Sequence, residues 1–352
     1  MPNLSTGEGH VADRVRSSCR RRLAAGRRSR HPNRRRKVLK LARIDDERAR
    51  DQARRSATLV SPSEIDDLLG KIELVEVHNW RRDDCIVRDG ESYAEAADRS
   101  GMGSLIPGAS LTHVRHDFAG TVSDATGHLP LPRNGSFSPS LQRLITSAKP
   151  IVVYACDGAD MPSAARAWLI LRYLGVDAVR VLDGGFPAYR AATQESGRSQ
   201  PSSALTTPLP RPKVISADEA LHIGRVGTLL DARPEAAFRG NAQTAEGGHI
   251  PGARNAPASA LIGTAGSLLP TVELRRWFLR HNAIGNHRKA AYCGGGVQSA
   301  LVLMAAALVG LELPIYLDSW SGYIKDAGRP VQFGDVPQSA SEGTLDASGC
   351  SD

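Results

Sequence analysis

Short apolar runs alternate with longer amphipathic ones along most of the chain, the pattern of strands alternating with helices. Leu74-Val75-Glu76-Val77, Ile151-Val152-Val153-Tyr154 and Val179-Arg180-Val181-Leu182 read as strands of a buried type. Leu141–Ser147 and Ser163–Tyr173 read as helices between them. Ser61-Pro62-Ser63-Glu64 opens an earlier helix, with serine as cap, proline at the first helical position and an acid in the first turn. Arg81 to Met102 is polar and irregular, and Gly120 to Pro139 is a loop rich in Gly, Pro and Ser. Residues 194–212 are dominated by Ser, Thr and Pro and read as a linker.

After the linker the pattern repeats in the same order. Ile215-Ser216-Ala217-Asp218-Glu219 matches Val60-Ser61-Pro62-Ser63-Glu64, and Leu229-Leu230-Asp231-Ala232-Arg233 matches Leu74-Val75-Glu76-Val77-His78. His249-Ile250-Pro251-Gly252-Ala253 matches Leu105-Ile106-Pro107-Gly108-Ala109, and Tyr292-Cys293 matches Tyr154-Ala155-Cys156. Tyr316-Leu317-Asp318-Ser319-Trp320 matches Val181-Leu182-Asp183-Gly184-Gly185. Ordered matches at near-constant spacing indicate a duplicated domain. Each copy alternates strand and helix, so the expected class is α/β: two tandem domains, each a mainly parallel sheet flanked by helices. The boundaries read as 59–193 and 213–334, with a polar tail over 335–352.

Charge divides the chain differently. The 352 residues carry a formal +8, but residues 1–60 hold 18 Lys and Arg against 6 Asp and Glu, so the remainder is −4. The basicity belongs to a tail, read as disordered over 1–58 with a charged helix near Ile44–Arg55. Phosphate contact, an organelle-targeting segment and an over-extended gene start are all compatible with it. No aromatic or groove-reading motif accompanies the arginines, which disfavours specific nucleic-acid binding.

Apolar residues make up 41% of the chain, enough for real cores. The longest apolar run, about 12 residues, falls short of the ~20 that a membrane span needs, and no secretory signal is visible. Cys19, Cys85, Cys156, Cys293 and Cys350 are widely spread, without a Cys-x-x-Cys pair or zinc-type spacing. A reducing, cytoplasmic compartment fits, with no metal and no organic cofactor.

The sharpest chemical signal is Tyr292-Cys293-Gly294-Gly295-Gly296-Val297-Gln298-Ser299, followed by the apolar run Ala300–Val309. A strand end, one cysteine, a glycine loop and a helix start aim backbone amides and a helix N-terminus at one sulfur. Both favour an anion there, and the glycines let the loop curl without Cβ clashes. Such a sulfur is a nucleophile and a candidate persulfide carrier, with residues 294–299 as its cradle. A buried, inert cysteine at a strand–helix turn is the other reading of the same stretch.

The ordered set Asp231-Ala232-Arg233, Phe238-Arg239-Gly240, Gly248-His249-Ile250-Pro251-Gly252-Ala253, Cys293 with its glycines, and Asp318-Ser319-Trp320-Ser321 closely resembles the tandem rhodanese-like sulfurtransferases. The resemblance covers roughly residues 60–334. It implies two rhodanese domains with the site at their interface and a reactive second copy. The implied reaction transfers a sulfane sulfur from thiosulfate or 3-mercaptopyruvate, through a Cys293 persulfide, to a thiol, cyanide or protein acceptor. The loop is nearer the mercaptopyruvate type. Two departures concern the donor. Ala237 stands where the family carries a donor-binding arginine, and Gln243-Thr244-Ala245-Glu246 where a second arginine is usual. Gln298 replaces the usual threonine.

Arg233 and Arg239 are the candidate substitutes for the missing arginine, with a structural ion pair as the other reading of Arg233. Asp231 reads as a positioning carboxylate, His249 as a packed turn residue, and Ser319 and Trp320 as mouth or packing residues. Cys156 holds the matching loop of the first copy, where Asp157 and Asp160 oppose a thiolate, so its role is reactive, structural or a relay. A phosphatase of similar loop needs Cys-x5-Arg, but Ser299 stands six residues after Cys293 and Pro162 six after Cys156. The alternative to an enzyme is a catalytically weak rhodanese-like binding or regulatory protein.

Overall fold

A computed structural model describes residues 32–79, 95, 105–133, 135–194 and 209–334. Most of the expected linker, the Arg81–Met102 stretch, the first part of the basic tail and the polar C-terminal tail lie outside the described residues. The chain divides into two units, residues 1–50 and 51–352. In the first, the described residues are helical, and Arg50 pairs with Asp46 at 2.7 Å. They belong to helix α1, Pro32–Thr58. The tail is therefore not unstructured up to residue 58, and its helix is longer than Ile44–Arg55. In the second unit the last turns of α1 are tethered. Arg55 donates to the Asp183 carboxylate and to the Leu269 carbonyl, and Arg275 donates to Asp51.

The first half builds one sheet from β1 (Leu59–Val60), β2 (Glu73–His78), β3 (Ser110–His113), β4 (Ile151–Ala155) and β5 (Val179–Leu182). The order is β1-β5-β4-β2-β3 and every pair is parallel. Parallel strands need crossovers, and α2 (Ile65–Leu68), α3 (Val114–Asp117), α4 (Pro139–Ile145), α5 (Met161–Tyr173) and α6 (Gly185–Gln194) stand between or after them. The central strands β2 and β4 are almost wholly buried; β4 accordingly reads as an unbroken apolar run, whereas β2 carries the buried Glu76 among its aliphatic residues.

The second half repeats the plan with fewer regular strands. It comprises α7 (Ala217–Val226), β6 (Thr228–Asp231), α8 (Glu235–Arg239), β7 (Arg254–Asn255), α9 (Thr271–Arg280), β8 (Lys289–Tyr292), α10 (Gln298–Leu308) and α11 (Ser319–Tyr323). The strand order is β7-β6-β8, extended by parallel bridges from Ala291 to Ile315 and from Ile315 to Val214. This is the order of the first sheet. The helix starts are duplicated too. Glu64 accepts from the Ser61 amide, and Glu219 from the Ser216 amide. α10 is apolar nearly all round because it is buried between its own sheet and α5 of the first half.

Candidate active site

Cys293 directly follows β8, and α10 begins five residues later at Gln298, so its sulfur sits at the carboxyl edge of the sheet below a helix N-terminus. The residue is 1% exposed. The Gly296 amide donates to Sγ at 3.1 Å and the Ser299 hydroxyl at 3.3 Å. Ser319 Oγ lies 3.9 Å from the sulfur. Its single proton is better placed on the Tyr316 carbonyl at 3.0 Å, while its oxygen accepts the Cys293 amide at 3.2 Å. Ser319 thus fixes the backbone of the cysteine, and does so from a left-handed conformation, φ +57°, that is unusual for serine. The amides of Trp320 and Ser321 donate to the Cys293 and Gly294 carbonyls, tying the loop to α11. Gly294, Gly295, Val297 and Gln298 are partly exposed and form the rim.

The first half supplies the cover. Arg166, on α5, is fully buried, and its guanidinium donates to the carbonyls of Phe118, Leu129, Pro130 and Gly296. Burial pushes this guanidinium down to about 10, opposed by the charges of Cys293 and Asp318, so it remains cationic at neutral pH. An unpaired buried cation would cost several kcal/mol; the four carbonyls offset that. The Gly127 amide donates to Asp318 and the His128 amide to Ser321. A Cβ on Gly295 would lie within 4 Å of His128 and Leu129.

Gly296 has φ +82°, and a Cβ there would stand 2.6 Å from both Arg166 Nη1 and the Leu317 carbonyl oxygen. Gly296→Ala is therefore expected to destabilise the fold by roughly 2–4 kcal/mol, read as a lower urea midpoint. An unchanged midpoint would mean that the loop relaxes freely and that this packing is not required.

Asp231 and Arg233 form a buried ion pair with Nη2–Oδ2 at 2.6 Å. Arg233 also donates to the Gly248 carbonyl and lies 4.6 Å over the Trp320 ring. Its guanidinium is committed to this packing, and Trp320 in turn stacks on Tyr323. Burial and the Asp231 charge push the Tyr292 phenol well up; its oxygen accepts the Ile250 amide. His249 is buried, bonded to the Phe238 carbonyl and stacked on the Phe238 ring. Arg239 is half-exposed and pairs with Glu235 along α8.

The first half carries a counterpart of this arrangement. Glu76 pairs with His78, the Tyr154 phenol donates to Glu76, and the Ile106 amide donates to the Tyr154 oxygen. The strand register places Tyr154 opposite Glu76 as Tyr292 stands opposite Asp231. The residue equivalent to Cys293 is therefore Ala155, and Cys156 lies one position further on. Burial, Glu76 and Asp160 push the Cys156 thiol well up, the opposite of what a nucleophile needs. Among the described residues, Glu76, His78 and Cys156 are the group whose side chains converge closely enough to hold a metal ion.

Sequence reasoning missed Arg166. The available signal was a lone cation inside Ala164-Ala165-Arg166-Ala167-Trp168, but its partners belong to loops that only the fold assembles. A cavity of about 1240 Å³, lined by Arg54, Trp168, Lys213, His222 and Arg288 among others, contains no residue of the Cys293 loop and is not the reactive centre.

The family described as "Rhodanese-like domain" matches residues 91–192 and 216–326. A Pseudomonas aeruginosa protein named "Probable 3-mercaptopyruvate sulfurtransferase" is 35% identical over 244 residues, covering 65% of this chain and 84% of its own. The mitochondrial thiosulfate/3-mercaptopyruvate sulfurtransferase 1 of Arabidopsis thaliana is 30% identical over 248 residues, covering 60% and 64%. The crystal structure of SseA from Escherichia coli, a 3-mercaptopyruvate enzyme of rhodanese fold, superposes with TM-score 0.55 at 25% identity, covering 75% of this chain and 98% of SseA.

Proposed function

Since the chain belongs to the rhodanese-like family and is a sulfurtransferase, we propose that Cys293 is the atom on which its sulfur travels. The observation that carries this is the buried Sγ with two donors, Gly296 N–H and Ser299 O–H, at the N-terminus of α10. The Cys293 thiolate attacks the transferable sulfur of the donor, the outer sulfur of thiosulfate or the thiol sulfur of 3-mercaptopyruvate. The bond between that sulfur and the donor breaks, and its electron pair leaves with sulfite or pyruvate enolate. A Cys–S–SH persulfide remains, and an acceptor thiolate or cyanide then attacks its outer sulfur and restores Cys293. Gly296, Ser299 and the Arg166 charge stabilise the negative charge on sulfur through both half-reactions.

Residues 59–193 and 213–334 are the two domains in this reading, and the second is the reactive one. Thiosulfate and 3-mercaptopyruvate are the donor candidates because relatives are named for both. Ala237 stands where a donor-binding arginine would be, Arg233 is held by Asp231, and Arg239 is half-exposed. Donor recognition therefore falls more on the rim than on a deep arginine. Free Cys156 and Cys293 support a cytosolic, reducing location. Among the described residues, no helix is long and apolar enough to cross a membrane. A protein that only binds would have no use for the donors around a buried sulfur.

Initial rates with each donor against cyanide test the reading. Parallel double-reciprocal lines are expected, with the preferred donor distinguished by kcat/KM. Intersecting lines with both donors would argue for direct transfer without a covalent carrier.

A further inference from the structure

The first copy has exchanged the parts of the second for a different donor set. Where the second copy has Asp231 and Arg233, the first has Glu76 and His78, two apart on β2 and so on one face of the sheet. Arginine cannot ligate a metal; histidine can. Cys156 follows β4, the strand paired with β2, and brings a thiol to the same edge.

The three ligand atoms lie within 4.8 Å of one another. The sides of their triangle are 2.8 Å from His78 Nε2 to Glu76 Oε1, 3.4 Å from Cys156 Sγ to His78 Nε2, and 3.7 Å from Sγ to Oε1. A tetrahedral zinc, with bonds of about 2.3 Å to sulfur and ~2.0–2.1 Å to nitrogen and oxygen, sets sulfur edges of about 3.6 Å and a nitrogen–oxygen edge of about 3.3 Å. Two sides match in length, but Sγ is 3.4 Å from both His78 ring nitrogens and so lies over the ring face, and the imidazole must turn to aim Nε2 at a shared ion. The third is drawn in by the His78–Glu76 hydrogen bond and opens by about half an ångström when an ion replaces the proton between them.

We propose that Glu76, His78 and Cys156 form a site for a divalent transition metal of the zinc class, with its fourth position open to water. Thiolate, imidazole and carboxylate are the ligand types that such an ion takes. Glu76 Oε2 is held from behind by the Tyr154 phenol and the Leu105 amide, which fixes the carboxylate as an outer shell does in metal sites. Asp160, 5% exposed, lies within electrostatic reach of Cys156 and His78, and its negative charge favours a cation there. Binding replaces the Cys156 thiol proton, which passes to solvent, and involves no redox change. The site is separate from the Cys293 centre.

The test uses the full chain, stripped with a chelator and equilibrated with zinc or cobalt. One zinc per chain is expected in the wild type and in Cys293→Ser, measured by mass spectrometry of bound metal. Cys156→Ser and His78→Ala are each expected to weaken zinc by at least ~10-fold. The cobalt form should show a sulfur-to-metal charge-transfer band in Cys293→Ser that His78→Ala removes, which keeps the test intact if Cys156→Ser does not fold. No bound zinc would overturn the proposal. So would zinc that is lost in Cys293→Ser and retained in Cys156→Ser, since the ion would then sit in the sulfur cradle.

Discussion

Exchanging Cys293 for serine is expected to lower sulfur transfer by at least ~10³-fold with every donor, while the thermal midpoint moves by only a few degrees. A hydroxyl cannot hold a transferable sulfur, so the covalent route is lost outright, and a thousandfold is about 4 kcal/mol of barrier. The fold is spared because serine differs from cysteine by one atom and its oxygen can accept the same two hydrogen bonds, from Gly296 and Ser299. Steady-state rates beside a melting curve read both effects. A variant that retains more than a tenth of the activity would move the carrier elsewhere, with Cys156 the first residue to examine.

Arg166→Met is expected to be the most damaging change outside the Cys293 loop. It leaves the carbonyls of Phe118, Leu129, Pro130 and Gly296 without their shared donor. Breaking a buried charge network of this kind costs about 3–5 kcal/mol, and urea unfolding measures it. Transfer should fall by more than ~10-fold even in the folded fraction, because the cation also holds the carbonyl of Gly296, whose amide donates to the sulfur. Arg166→Lys should recover little, since a single ammonium cannot reach carbonyls on several sides as a planar fork does. Stability within ~0.5 kcal/mol of wild type would show that Arg166 fills space and nothing more.

What could be read from the sequence followed from periodicity and repetition. Ile151–Tyr154 is buried on both faces of a parallel sheet and stood out as an apolar run, while Leu74–Val77 and Val179–Leu182 stood out as short β-branched and aliphatic stretches, each interrupted by one charged residue, Glu76 and Arg180. The duplication was visible because strand ends and the Ile-Pro-Gly turns sit at fixed spacing, and it placed Asp231, Arg233 and Cys293 at equivalent sheet edges. Strands such as Arg254–Asn255 are too short to leave a pattern. The match of Cys156 to Cys293 was one residue off. Only the register, with Tyr154 opposite Glu76 and Tyr292 opposite Asp231, shows that Ala155 holds the position of the nucleophile. Arg166 and Ser319 act through tertiary contacts, a domain-crossing bond and a left-handed backbone, that no local pattern encodes.

The central claim is that one sulfur atom travels on Cys293, and intact mass spectrometry tests it most directly. Wild-type protein exposed to 3-mercaptopyruvate or thiosulfate is expected to gain the mass of a single sulfur, to lose it on addition of cyanide, and to show neither change in Cys293→Ser. A gain that persists in Cys293→Ser, or no gain with either donor, would contradict the account.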